Sequence, residues 1–137
     1  MNLALVSLMG FASWTVLLLV GIAAVRSYKV LKGELKSNEF PSGVPHGSDW
    51  YWRLNRAHMN CVESLPVFAS VVLVAAVTKL SSHFFGQLAM AVLFARVGQS
   101  IVHVISGSAL AVNARFAFFL TQIVCVLCMI SIVLRSL

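Results

Sequence analysis

The stretch Arg56–Leu80, RAHMNCVESLPVFASVVLVAAVTKL, decides how this chain folds. It opens with an arginine, an asparagine and a glutamate, and from Leu65 to Val77 it is almost wholly apolar. Crossing the hydrocarbon of a bilayer takes about 20 helical residues, and the run is long enough to do so. On a helix of ~3.6 residues per turn, Arg56, Asn60 and Glu63 fall at i, i+4 and i+7 and share one face. A polar stripe therefore enters an apolar element. An ionisable group in hydrocarbon costs at least ~2.5 kcal/mol, so the stripe needs partners.

Three further apolar runs lie outside that stretch. The four together are about Leu3–Val25, Ala57–Leu80, Phe84–Ser106 and Arg115–Leu134. Of the 137 residues, 60% are hydrophobic and 10% charged, whereas about a quarter of a soluble domain is charged. No segment alternates polar and apolar residues as lipid-facing barrel strands must, and no internal repeat is visible. The expectation is an all-α integral membrane four-helix bundle, a single domain over residues 1–137. A secretory signal would need a basic segment ahead of its apolar core; here Met1 and Asn2 lead straight into a full-length run, so the first run is expected to be retained.

The formal charge of +6 might suggest nucleic acid, but its placement points to membrane orientation and to no nucleic-acid partner. Six of the ten basic residues, Arg26, Lys29, Lys32, Lys36, Arg53 and Arg56, fall between the first two runs. The positive-inside rule then puts the loop of residues 26–56 in the cytoplasm, with Arg115 on the same side and both termini opposite. Pro41, Gly43, Pro45 and Gly47 break that loop. Trp50, Tyr51 and Trp52 at its end are expected to anchor in the headgroup layer of the membrane lipid, or else to wall a lipophilic ligand.

The third run carries its own stripe, Arg96, Gln99 and His103 at i, i+3 and i+7. At 1.5 Å per residue from the cytoplasmic ends, Glu63 lies roughly 10 Å deep, Gln99 roughly 12 Å and Arg96 roughly 16 Å. The Glu63 and Arg96 side chains can therefore meet, and the two stripes are expected to face each other or a neighbouring subunit, with Asn60 and His103 at similar depth near the cytoplasmic mouth. A network that only fixes helix register would look the same. Cys125 and Cys128 form CVLC in an apolar run and read as packing, as does Cys61; the four histidines have no ligand spacing, so no metal site is expected. No phosphate-cradling loop or serine nucleophile motif is present, which leaves chemistry to a bound cosubstrate.

Four short spans with RAHMNCVESLP opening the second resemble the MAPEG family, the membrane-associated proteins of eicosanoid and glutathione metabolism. The resemblance covers nearly the whole chain. It is sharpest at Arg56, Ala57, Asn60, Glu63 and Pro66, and Ala95, Arg96 and Val97 followed by His103 add to it. It implies a homotrimer with glutathione bound between subunits near the cytoplasmic side. It also implies a site made of Arg56, Asn60, Glu63, Arg96, His103 and, more loosely, Lys32, with Arg115 stabilising the glutathione thiolate. Arginines suit the two carboxylates of glutathione and Glu63 its amine.

Several positions depart from the family pattern. Met59 stands where some members carry another arginine, and Phe116 where some carry serine. Phe119 replaces a tyrosine that could hydrogen-bond the thiol, so Arg115 is left to stabilise the thiolate by charge. These departures argue against prostaglandin or leukotriene synthesis. The function expected from the resemblance is a glutathione transferase or peroxidase acting on a lipophilic electrophile or lipid hydroperoxide. The alternatives are a non-catalytic trimer of the same fold and a small proton-coupled transporter using Glu63.

Overall fold

The structure, a computed structural model, describes residues 2–137. Its helices are α1 (Leu3–Leu31), α2 (Asp49–Val77), α3 (His83–Ile105) and α4 (Ala109–Ser136), with no strand among the described residues. All four are long and apolar enough to cross a membrane, the build of a multi-pass integral membrane protein. Large apolar side chains such as Met9, Leu17, Phe94 and Val124 point outward, as lipid-facing positions do.

The helices overrun the apolar runs because the bilayer edge and the helix end are set by different things. α1 continues through Arg26 and Lys29 and stops where Gly33 takes φ 72°. There Glu34 N donates to Lys29 O and Gly33 N to Val30 O, both at 3.0 Å. This paired closure relies on a left-handed residue, which glycine adopts without a Cβ penalty. α2 begins at Asp49, well before Ala57, because the Ser48 side chain caps it by accepting from Tyr51 N. Likewise α4 begins at Ala109, with Ser108 accepting from Ala111 N, so Arg115 lies inside the helix. The irregular part of the first loop shrinks to residues 32–48.

That segment is tied down at Tyr51, which is 1% exposed. Arg26 Nε donates to its hydroxyl at 2.8 Å, and the His46 ring meets its ring edge-on at 5.4 Å. The expected aromatic anchor is thus divided: Trp50 is exposed, Tyr51 is buried and Trp52 lines a cavity. Consecutive helical residues point about 100° apart, so three in a row cannot share one environment.

α1 packs on α2 and α3, and α4 packs mainly on α3; α2 meets α4 lightly, and the α1 and α4 backbones stay apart among the described residues. α4 therefore leans on α3 and leaves a cleft against α2. Small residues let the helices approach. At Gly98, an added Cβ would stand 2.9 Å from Phe118 Cζ. Gly98→Leu is expected to force the α3–α4 seam open and destabilise the protein by about 2 kcal/mol. Thermal unfolding followed by helical circular dichroism in detergent checks this, and an unchanged midpoint would show that the seam has room.

Candidate functional site

Three adjoining cavities follow the cleft between α2 and α4 over the surface of α3. The outer one, about 480 Å³, is lined by Arg53, Arg56 and Arg115 together with Asn60, Gln99 and His103, and by no carboxylate. The middle one, about 240 Å³, is lined by Asn60, Glu63, Ser64, Arg96, Gln99 and Phe119. The inner one, about 280 Å³, is apolar apart from Ser64, Arg96 and Gln122; its walls include Phe11, Phe68, Val92 and Leu127. Phe119 lines all three. The cleft thus passes from cationic through mixed polar to apolar.

Each polar group is held by its own helix and by a neighbour. Arg53 Nε donates to Val104 O of α3 at 3.2 Å, which fixes its guanidinium at the cavity rim. Gln99 Nε2 donates to Arg115 O at 3.2 Å, and Gln122 Nε2 donates to Gln99 Oε1 at 3.0 Å, so a pair of amides ties α3 to α4 beneath Arg115. Asn60 Nδ2 lies 3.5 Å from His103 Nδ1, so the two residues expected at similar depth are also in contact. The two polar stripes do face each other.

Arg96 is only 3% exposed. Its Nη2 donates to Ser64 Oγ at 2.6 Å, and Ser64 in turn donates to Asn60 O at 2.6 Å. Its guanidinium carbon lies 5.5 Å from the centre of the Phe11 ring, within cation–π range. Its Nε has no partner. The expected Glu63–Arg96 encounter takes another form: both line the middle cavity, but the hydrogen bond that Arg96 makes to α2 goes to Ser64. Glu63 is exposed towards the cleft. Depth alone suggested a meeting, but Ser64 is turned about 100° from Glu63, and that turn brings it to α3.

Of the residues expected at a site, Arg56, Asn60, His103 and Arg115 line the outer cavity, and Glu63 and Arg96 the middle one. Lys32 does not line them; it caps the end of α1, with Nζ 4.8 Å from the Tyr28 ring centre. Arg53, Ser64 and Gln122 were not anticipated. Arg53 had a visible signal, since it precedes Arg56 by three residues and extends the same stripe by one turn. A span starting at Ala57 hid it in the loop. Ser64 and Gln122 sit among apolar neighbours and gave none.

Chemically, the outer cavity could hold anionic groups, because arginine presents several donors and no acceptor. Glu63 offers one place for a cation beside it. The inner cavity, with its phenylalanine and aliphatic walls, suits an apolar molecule. No curated protein matches the chain. The model of the MAPEG family matches residues 4–135, nearly its whole length, and the chain belongs to that family.

Proposed function

We propose that the protein is a membrane-bound glutathione-dependent transferase or peroxidase, working as a homotrimer with this cleft at the subunit boundary and its arginine-rich end on the cytoplasmic side. The observation that carries this reading is the charge layout: three arginines and no carboxylate around the outer cavity, and one carboxylate, Glu63, in the next. Glutathione has the complementary layout of two carboxylates and one ammonium group. Arg53 and Arg56 take carboxylates and Glu63 takes the ammonium, while Asn60 and His103 complete the polar wall. Arg115 is left nearest the thiol, where a cation favours the nucleophilic thiolate. Lys32 joins the set from a neighbouring subunit. A lipophilic electrophile or lipid hydroperoxide enters the inner cavity from the bilayer, and holding both reactants side by side supplies much of the rate.

Calorimetry with detergent-purified protein tests the reading. Saturable glutathione binding is expected, weakened about tenfold in Arg56→Ala and in Glu63→Ala, since a charge-assisted hydrogen bond contributes roughly 1.5–3 kcal/mol. Chromatographic size should be unchanged in both variants. Full affinity in both would remove the site assignment.

Phe119 favours one second reading, a trimer that binds glutathione without turning anything over. A phenyl ring stands at the junction of the three cavities and offers no hydroxyl to the thiol. Binding without turnover of any apolar electrophile or hydroperoxide would select it.

A further inference from the structure

We infer that Arg96 is the catalytic group on the electrophile side, and that the preferred electrophile is a lipophilic α,β-unsaturated carbonyl compound; this rests on the glutathione reading above. The starting point is an unmet need. Arg96 is 3% exposed and its Nε has no acceptor, a condition costing roughly 1–3 kcal/mol for a buried donor. The Nε is sealed from the cavities, so an acceptor that arrives with a ligand meets the guanidinium at its Nη end, beside the hydrogen bond to Ser64. Arg96 lines both the middle and the inner cavity, so it stands where the thiol compartment ends and the apolar compartment begins. A lipophile filling the inner cavity places its polar end there.

The guanidinium restricts what that end is. It donates hydrogen bonds and accepts none, and a guanidinium holds its proton too tightly to serve as a general acid. The polar end must therefore accept a hydrogen bond and gain negative charge during reaction without needing a proton at once. Hydroperoxides and epoxides release an alkoxide or hydroxide that calls for an acid. The inner cavity has no acid in its lining, and the one in the middle cavity, Glu63, is engaged with the glutathione ammonium group in the reading above. An alkyl halide sheds its charge on the halide and leaves no oxygen for Arg96. A conjugated carbonyl meets the condition. The thiolate sulfur donates an electron pair to the β-carbon and forms the S–C bond. The alkene π pair shifts to join the α-carbon to the carbonyl carbon, and the carbonyl π pair moves onto oxygen as an enolate, which the Arg96 N–H stabilises. A proton from water then adds at the α-carbon, replacing the one the thiol gave to solvent, and the product is a saturated carbonyl thioether.

The test compares two substrates on one preparation of the full-length protein. With glutathione present, kcat/KM is measured for trans-2-nonenal and for benzyl chloride, in the wild type and in Arg96→Gln. The ratio of nonenal to benzyl chloride is expected to fall about 100-fold in the variant, the scale of losing one donor to a developing oxyanion. A partial loss of fold lowers both rates and cancels in the ratio; a ratio unchanged in Arg96→Gln overturns the inference. Inhibition of the wild type provides the evidence if the variant does not assemble. Nonanoate, whose carboxylate resembles the enolate oxygen, should compete with nonenal and not with glutathione, at least tenfold better than 1-nonanol; equal inhibition overturns the inference. Glutathione binding without turnover of nonenal also overturns it and leaves the cosubstrate site standing, whereas absent glutathione binding in the wild type removes the underlying reading.

Discussion

Arg115→Ala is expected to lower glutathione-dependent turnover about 25-fold at pH 7 while leaving the helical fold intact. The Arg115 side chain is half-buried in the outer cavity, and the hydrogen bond that joins its residue to Gln99 uses the backbone carbonyl, which alanine retains. The change therefore removes a charge and keeps the α3–α4 tie. A nearby cation lowers a thiol pKa by about 1–3 units, and losing it returns the bound thiol towards the free value of about 8.5. For a shift of about 2 units, ending at about 8.5, the thiolate fraction at pH 7 falls from about three-quarters to about 3%, roughly 25-fold. The sign follows directly: below the thiol pKa the rate climbs with pH, so the rising limb of the profile moves to higher pH in the variant. Well above both pKa values the two rates are expected to converge. The pH profile of kcat, with ultraviolet thiolate absorbance of the bound cosubstrate, measures this. An unmoved limb would transfer the thiolate to Arg53 or Arg56, which line the same cavity.

The sequence shows most of the bundle and only part of the site, and the boundary between the two has a physical origin. Hydrophobic runs report where lipid lies, so the existence of four helices follows from composition. Their ends depend on local chemistry at Gly33, Ser48 and Ser108, and this is why Arg53 and the first turns of α4 belong to helices that the apolar pattern leaves short. Rise per residue gives depth, and it put Asn60 and His103 at the same level, where the structure has them in contact. Depth does not give azimuth, and the choice of Ser64 over Glu63 as the partner of Arg96 is a matter of azimuth. The cleft itself follows from α4 resting on α3 and meeting α2 lightly. That arrangement depends on side chains such as Phe118 against Gly98, which no single run reveals.

Phe119→Tyr is expected to raise turnover about 30-fold. Phe119 is 44% exposed and faces the junction of the outer, middle and inner cavities. Tyrosine keeps the ring and adds one hydroxyl, so packing changes little if the added group finds an acceptor. A hydrogen bond to a charged acceptor contributes about 2 kcal/mol, which as transition-state and thiolate stabilisation corresponds to about 30-fold in rate. The same hydroxyl without an acceptor would sit beside Phe11, Phe68 and Val92 and carry a desolvation cost of roughly 1–3 kcal/mol. The two outcomes separate cleanly when turnover and thermal midpoint are measured together. Faster turnover with an unchanged midpoint puts the thiolate at the junction, and the native phenylalanine then marks an enzyme relying on Arg115 charge alone. Unchanged turnover with a lowered midpoint puts the thiol elsewhere. It would also make the apolar ring at position 119 a partition between a glutathione compartment and a lipid compartment that do not exchange chemistry, which is the non-catalytic reading.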